Sequence, residues 1–104
     1  MSHLIVDITE CHTNGLLEEC VQKLARVVTE LDLTVVNACS HQFEPQGATH
    51  ILLLAESHLS IHTFPEQNRV ALDLYCCSNI NITKAIDIIQ KEFPGKYKIR
   101  IITR

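Results

Sequence analysis

The order of apolar and polar residues along the chain changes its period several times, and each change predicts a new element. Residues 3–9 alternate between apolar and polar side chains, which predicts a strand with one buried face. From about Asn14 onward, apolar residues recur every three or four positions, which predicts a helix packed on a sheet. The apolar positions of this helix are Leu17, Cys20, Val21, Leu24, Val28 and Leu31.

Two pairs of strands are predicted in the middle of the chain. Residues 33–43 and 49–55 have strand-like composition and are separated by the turn-forming sequence Glu44-Pro45-Gln46-Gly47, which predicts a hairpin. Residues 59–64 and 69–76 form the second pair. The segment between them begins with a proline, which marks the end of a strand because it has no N–H for the ladder.

A second helix and a last strand complete the pattern. The helix ends at Pro94-Gly95, and residues 96–103 follow as a strand. The apolar stripe of this second helix consists of Ile82, Ala85, Ile86, Ile89 and Phe93. The order β-α-β-β-β-β-α-β predicts an α+β fold, a two-layer sandwich in which two helices cover one face of a largely antiparallel sheet. The length of 104 residues predicts a single domain over residues 1–104.

Composition and charge exclude several classes of partner. The net charge is −3, and the nine lysines and arginines are scattered, so the cationic surface that nucleic acid requires is missing. The longest apolar run, residues 51–55, is far shorter than the roughly 20 residues that span a bilayer, and the start of the chain lacks the pattern of a signal peptide. We expect a cytoplasmic protein without nucleic-acid or membrane partners, whose five cysteines are reduced thiols.

Residues 55–66 carry most of the chemistry, in the sequence Ala-Glu-Ser-His-Leu-Ser-Ile-His-Thr-Phe-Pro-Glu. A zinc site is disfavoured because His58 and His62 would lie about 13 Å apart on a strand, and only Cys76 or Cys77 offers a further ligand. We therefore predict no bound metal. A serine hydrolase lacks its G-x-S-x-G motif here, although a triad is defined by geometry and not by sequence order. A polar surface turn is the remaining simple interpretation.

The whole string resembles the processing segment of the prokaryotic-type S-adenosylmethionine decarboxylases, whose pattern is close to E-S-H-[LI]-[ST]-I-H-T-[WF]-P-E. The resemblance extends to His3-Leu4-Ile5-Val6-Asp7, to His41-Gln42-Phe43 with the following Pro45-x-Gly47 turn, and to Ala71-Leu72-Asp73-Leu74-Tyr75-Cys76-Cys77. It covers most of the chain, and the fold of that family is the α+β sandwich predicted above.

The resemblance implies that the chain cuts itself. The hydroxyl of Ser57 would attack the carbonyl of Glu56, and elimination from the resulting ester followed by hydrolysis would leave a pyruvoyl group derived from Ser57. The products would be a β chain of residues 1–56 and an α chain of residues 57–104. The pyruvoyl carbonyl would form a Schiff base with the substrate amine and take up the electrons released with CO₂.

The same resemblance assigns roles to five further residues. His62 matches the histidine used in processing, and Thr49 stands where the family commonly has serine. Cys77 matches the acid that returns a proton to the α-carbon, so Ser57, His62 and Cys77 are the expected catalytic residues. Phe43 matches the aromatic that stacks on adenine, and Glu66 the carboxylate that hydrogen-bonds the ribose.

The implied function is decarboxylation of the small molecule S-adenosylmethionine to the aminopropyl donor for polyamine synthesis, spermidine synthesis included. An alternative on the same fold is decarboxylation of a free basic amino acid such as ornithine or arginine. Further alternatives are a catalytically inactive regulatory subunit and a metal-binding module. Because the family builds its sites between two chains, we expect a homodimer of cleaved αβ units.

Overall fold

The computed structural model describes residues 1–77 and 79–104. It contains six strands, two helices and one turn of 3-10 helix at Pro65–Gln67. The strands are β1 (Ser2–Thr9), β2 (Val35–Gln42), β3 (Ala48–Leu54), β4 (Ser57–Phe64), β5 (Arg69–Cys76) and β6 (Lys96–Thr103), and the helices are α1 (Leu17–Glu30) and α2 (Ile82–Glu92). This order confirms the predicted β-α-β-β-β-β-α-β sequence, and β5 and β6 have the predicted bounds.

All six strands form one sheet in the order β2-β3-β4-β5-β1-β6, and every neighbouring pair is antiparallel. One face of the sheet packs against α1 and α2. The opposite face, called the open face below, carries the alternate residues of each strand. The two-layer α+β prediction is therefore confirmed.

The core lies between the helices and the sheet because strand alternation sends every second side chain to that side. A row of leucines crosses the sheet, since Leu52 is opposite Leu59, Leu59 is opposite Leu74, and Leu74 is opposite Leu4. All four are buried, and residues from both helices join the same buried cluster.

Several element boundaries differ from the prediction by one to three residues, and the starts of α1 and β4 are the two that bear on the site. Helix α1 begins at Leu17 and not near Asn14, because Gly15 has a φ of +76° and the side chain of Asn14 accepts the N–H of Leu16 at 2.8 Å. Strand β4 begins at Ser57, two residues earlier than predicted, because a turn of only two residues joins it to β3.

In the described part of the chain, no helix is long and apolar enough to cross a membrane.

Candidate active site

Ser57 is the first residue of β4 and directly follows a tight turn. Leu54 and Ser57 are paired across the β3–β4 ladder, so Ala55 and Glu56 alone make the reversal. Glu56 has a φ of +63°, in the left-handed region, which costs a residue with a side chain about 1–2 kcal/mol. The peptide bond expected to be cleaved thus joins a strained residue to a serine that is 8% exposed.

The two adjacent cysteines at the end of β5 have different environments. His58 is opposite Tyr75, so continuing both strands brings Cys76 and Cys77 alongside the turn. Cys76 is fully buried on the helix side, and burial raises the pKa of its thiol. Cys77 is exposed. Strand alternation predicts this difference, and Cys77 is the cysteine whose thiol is accessible beside the turn.

Thr49 and His62 form a pair near the other end of the same hairpin. They are opposite each other in the β3–β4 ladder, and the hydroxyl of Thr49 lies 2.9 Å from Nδ1 of His62. Both side chains are half-buried on the open face. The hydroxyl either donates to Nδ1 of the tautomer protonated on Nε2, or accepts from Nδ1–H of the tautomer whose Nε2 is free to act as a base.

Phe43, His62 and Glu66 line a common cleft with a volume of about 210 Å³. The ring of Phe43 is 48% exposed, so it is not a core residue. The ring of His41 meets it edge to face, with centroids 4.6 Å apart. The cleft therefore combines an accessible aromatic surface, an exposed carboxylate and an imidazole.

These residues form two groups at opposite ends of β4. Ser57 and His62 are five residues apart on one strand, which corresponds to about 17 Å at the rise of a β-strand. They also point to opposite faces, because their separation is odd. The turn group consists of Glu56, Ser57 and Cys77, and the cleft group consists of Phe43, Thr49, His62 and Glu66. Within one chain, the structure does not bring the two groups together.

Sequence reasoning missed this separation, although the signal was available. The strand spacing that disfavours a shared metal between His58 and His62 also separates Ser57 from His62. Among the described residues, no group of three or more histidine, cysteine, aspartate or glutamate side chains lies close enough to hold a metal ion.

A second set of open-face residues has no signal in the sequence beyond strand alternation. Nε2 of His3 lies 3.6 Å from a carboxylate oxygen of Asp73. The ring of Tyr75 contacts His3 edge to face at 6.0 Å and lies 5.5 Å from the ring of His58. These residues adjoin the turn group on the open face of β1, β4 and β5.

Comparison with known proteins identifies relatives over nearly the whole chain. A family model described as S-adenosylmethionine decarboxylase matches residues 2–104. An S-adenosylmethionine decarboxylase proenzyme from Prochlorococcus marinus is 34% identical over 97 residues, covering 90% of this chain and 78% of the relative. The proenzyme of the same name from Archaeoglobus fulgidus is 39% identical over 90 residues, covering 84% of this chain and 80% of the relative.

Solved structures give the same result. The adenosylmethionine decarboxylase from Aquifex aeolicus superposes with a TM-score of 0.88 at 27% identity, over 99% of this chain and 88% of that one. A Trypanosoma brucei AdoMetDC monomer superposes with a TM-score of 0.66 over 96% of this chain and 45% of that one. At 15% identity, the second likeness shows the fold alone.

The fold and these matches define the class of the protein as a pyruvoyl-dependent carboxy-lyase. Within that class, the chain belongs to the S-adenosylmethionine decarboxylase family.

Proposed function

We propose that the chain is a self-cleaving proenzyme whose product decarboxylates S-adenosylmethionine and so supplies the aminopropyl donor for polyamine synthesis. The observation that carries the proposal is the position of Ser57, directly after the strained residue Glu56 in a two-residue turn. Part of the strain would be released when the peptide bond is exchanged for an ester, because the rearrangement frees the backbone of the turn.

The proposed cleavage balances without any external reagent except water. Oγ of Ser57 attacks the carbonyl carbon of Glu56, and the peptide nitrogen leaves as the free amine of the serine, which gives an ester. Removal of the α-proton of Ser57 then expels the carboxylate of Glu56 and leaves dehydroalanine. Hydrolysis of dehydroalanine releases ammonia and yields the pyruvoyl group. A base for the hydroxyl and a donor for the oxyanion are needed in the first step.

The residues beside the turn fit a pyruvoyl group at residue 57. The group's carbonyl supplies an electron sink for the electrons released with CO₂. The thiol of Cys77 is exposed alongside the turn, and its Sγ–H is the proposed source of the proton returned to the α-carbon. The thiol of Cys76 is less suited to this role because it is fully buried, and burial raises its pKa.

The cleft group fits a nucleoside. The exposed ring of Phe43 offers a face on which adenine can stack, and the carboxylate of Glu66 can accept hydrogen bonds from ribose hydroxyls. A free ornithine or arginine has no aromatic ring to place against Phe43. The cleft therefore favours S-adenosylmethionine over the free basic amino acids.

A homodimer would bring the turn group and the cleft group together in one site. Half-exposed apolar residues lie on the open face, among them Ile51, Leu53 and Ile102, and a second copy would cover them. In such a dimer, the open faces of the two chains pack against each other around a two-fold axis. The β3–β4 hairpins then run in opposite directions, so that the turn group of one chain lies beside the cleft group of the other. His62 of the partner subunit would then serve as the base for Ser57, once the Ser57 side chain, which strand alternation directs to the helix side, turns toward the open face.

Co-expression of two inactive variants tests this arrangement. A Ser57→Ala chain keeps His62 but has nothing to cleave, and a His62→Ala chain keeps Ser57 but lacks the base. Each variant alone should stay intact. In the mixture, we expect the His62→Ala chain to be cleaved before Ser57, because the partner supplies His62, while the Ser57→Ala chain stays intact. The denatured masses distinguish the chains, and an uncleaved mixture would contradict processing between chains.

The wild-type protein provides the direct test of the cofactor. Its denatured mass should show two fragments that divide before Ser57, with the C-terminal fragment lighter by ammonia than a fragment starting with serine. Release of CO₂ should be faster from S-adenosylmethionine than from ornithine or arginine. A single intact chain without decarboxylase activity would overturn the proposed function.

A further inference from the structure

The side chain of Gln42, the last residue of β2, makes an unusually dense set of hydrogen bonds. Its Oε1 accepts the N–H of Leu17 at 2.6 Å. Its Nε2 lies 2.8 Å from the carbonyl oxygen of Gly15, 2.9 Å from that of Gly47 and 3.1 Å from that of Phe43. The two amide protons are shared by three carbonyls, so the donor capacity of the side chain is saturated.

These bonds join three separate segments next to the cleft. Leu17 is the first residue of α1, Gly15 precedes it, and Gly47 ends the turn that carries Phe43. Backbone bonds reinforce the junction, since the N–H of Phe43 donates to Gly47 at 2.8 Å and that of Gly47 donates to Gly15 at 3.0 Å. The segments are in close contact, because a Cβ on Gly15 would lie 2.9 Å from Cβ of Gln46.

We propose that Gln42 is a positioning residue for nucleoside binding, which holds the backbone of Phe43 so that its ring is presented to the base. This inference rests on the proposed function of the cleft. Phe43 is about half exposed at the edge of the cleft, so the orientation of its ring depends strongly on its backbone and on the edge of His41. Ordering Phe43 before the ligand arrives lowers the entropy cost of binding.

The position of Gln42 also predicts which step it affects. Its side-chain hydrogen bonds go to the backbone of Leu17, Gly15, Phe43 and Gly47, and none of them reaches Thr49 or His62. Loss of the Gln42 contacts should therefore raise the KM for the nucleoside substrate and leave cleavage before Ser57 unchanged. Gln42 touches neither reacting group, so kcat should change little.

Two substitutions separate the donor role of Gln42 from its acceptor role. Gln42→Glu keeps the shape of the side chain and the oxygen that accepts the N–H of Leu17. It replaces the Nε2 amide donor with a carboxylate oxygen that faces the three carbonyl oxygens. Gln42→Lys keeps a donor for these carbonyls and loses the acceptor. The matched control is Gln90→Glu, which makes the same charge change at an exposed position of α2.

The readout is the Kd of 5′-methylthioadenosine for the intact Ser57→Ala protein, so it does not depend on the cofactor. We expect Gln42→Glu to raise this Kd at least about tenfold, Gln42→Lys to raise it less than about threefold, and Gln90→Glu to leave it unchanged. In the Ser57 background, all three should cleave at the wild-type rate, and the KM for S-adenosylmethionine should follow the Kd. Thermal unfolding of each variant checks that the fold is retained.

The outcomes distinguish the two proposals. If the wild-type chain stays intact and inactive, the proposed function fails and the inference fails with it. If the wild-type chain cleaves and turns over while Gln42→Glu binds the probe normally, only the inference is overturned. If Gln42→Glu and Gln42→Lys lose affinity for the probe equally and both have lower unfolding temperatures, the role of Gln42 is purely structural. That outcome would also overturn the inference.

Discussion

The hydroxyl of Thr49 lies 2.9 Å from Nδ1 of His62, directly across the β3–β4 ladder. This contact holds the ring of His62 on the open face. The tautomer in which Nδ1–H donates to the Thr49 hydroxyl leaves the lone pair of Nε2 free to accept a proton. Since His62 is about 17 Å from Ser57 in its own chain, the proposed base for Ser57 is His62 of the partner subunit.

The Thr49 contact leads to a prediction about the rate of processing. Thr49→Val keeps the shape but removes the hydroxyl, so cleavage before Ser57 should slow by about tenfold or more. Thr49→Ser keeps the hydroxyl and should process at least as fast as the wild type. Mass spectra taken during refolding measure the rate, with Thr83→Val on the exposed face of α2 as the control. Wild-type cleavage by Thr49→Val would remove the hydroxyl from the mechanism.

The positive φ of Glu56 predicts a change in stability. In the uncleavable Ser57→Ala protein, Glu56→Gly should increase the free energy of unfolding by about 0.5–1 kcal/mol, because glycine adopts the left-handed region without strain. The same change at Glu18 in α1 should instead destabilise by about 1 kcal/mol. Urea titrations compare the two. Destabilisation by Glu56→Gly would show that the turn is not strained.

The two adjacent cysteines should respond differently to alanine. Cys77→Ala should cleave normally, retain its stability to within about 0.5 kcal/mol and lose most of its decarboxylase activity, because Cys77 is exposed beside the turn. Cys76→Ala should lose about 1–2 kcal/mol of stability, because it leaves a gap in the core. Chemical denaturation and CO₂ release measure both properties. Normal turnover by Cys77→Ala would eliminate Cys77 as the proton donor.

Burial of His50 predicts a loss of stability toward acid. His50 is 5% exposed, and burial lowers its pKa below the usual value of 6.5, so the unfolded chain binds more protons than the folded one. The contribution of His50 is therefore fully present above about pH 6.5 and is lost as the pH falls through the lowered pKa. In the Ser57→Ala protein, His50→Gln should flatten the decrease in unfolding free energy between about pH 7 and pH 5.

The control for that measurement is His12→Gln, at an exposed position. Comparing the two slopes isolates the effect of burying an imidazole. If the curves of His50→Gln and the wild type run parallel, the buried ring does not contribute to the acid sensitivity of the fold.

The elements were predictable because their signals are local. The alternation in residues 3–9 predicted β1, and Pro94-Gly95 correctly marked the break between α2, which ends at Glu92, and β6, which begins at Lys96. The start of α1 was less predictable, because the N–H of Leu17 is satisfied by Gln42, 25 residues further along the chain. No local pattern around Leu17 predicts a hydrogen-bond acceptor that comes from β2.

The sequence by itself determined the order of strands and helices, the face of each strand that is buried, and the motif around Ser57 with its candidate residues. These features depend on neighbouring side chains and on the fixed period of strand and helix. Only the tertiary structure decided that the residues of the motif form two groups at opposite ends of one hairpin. It also decided that Gln42 joins the backbone of Gly15, Phe43 and Gly47, because such distances and contacts depend on strand register and loop packing, which no local pattern encodes.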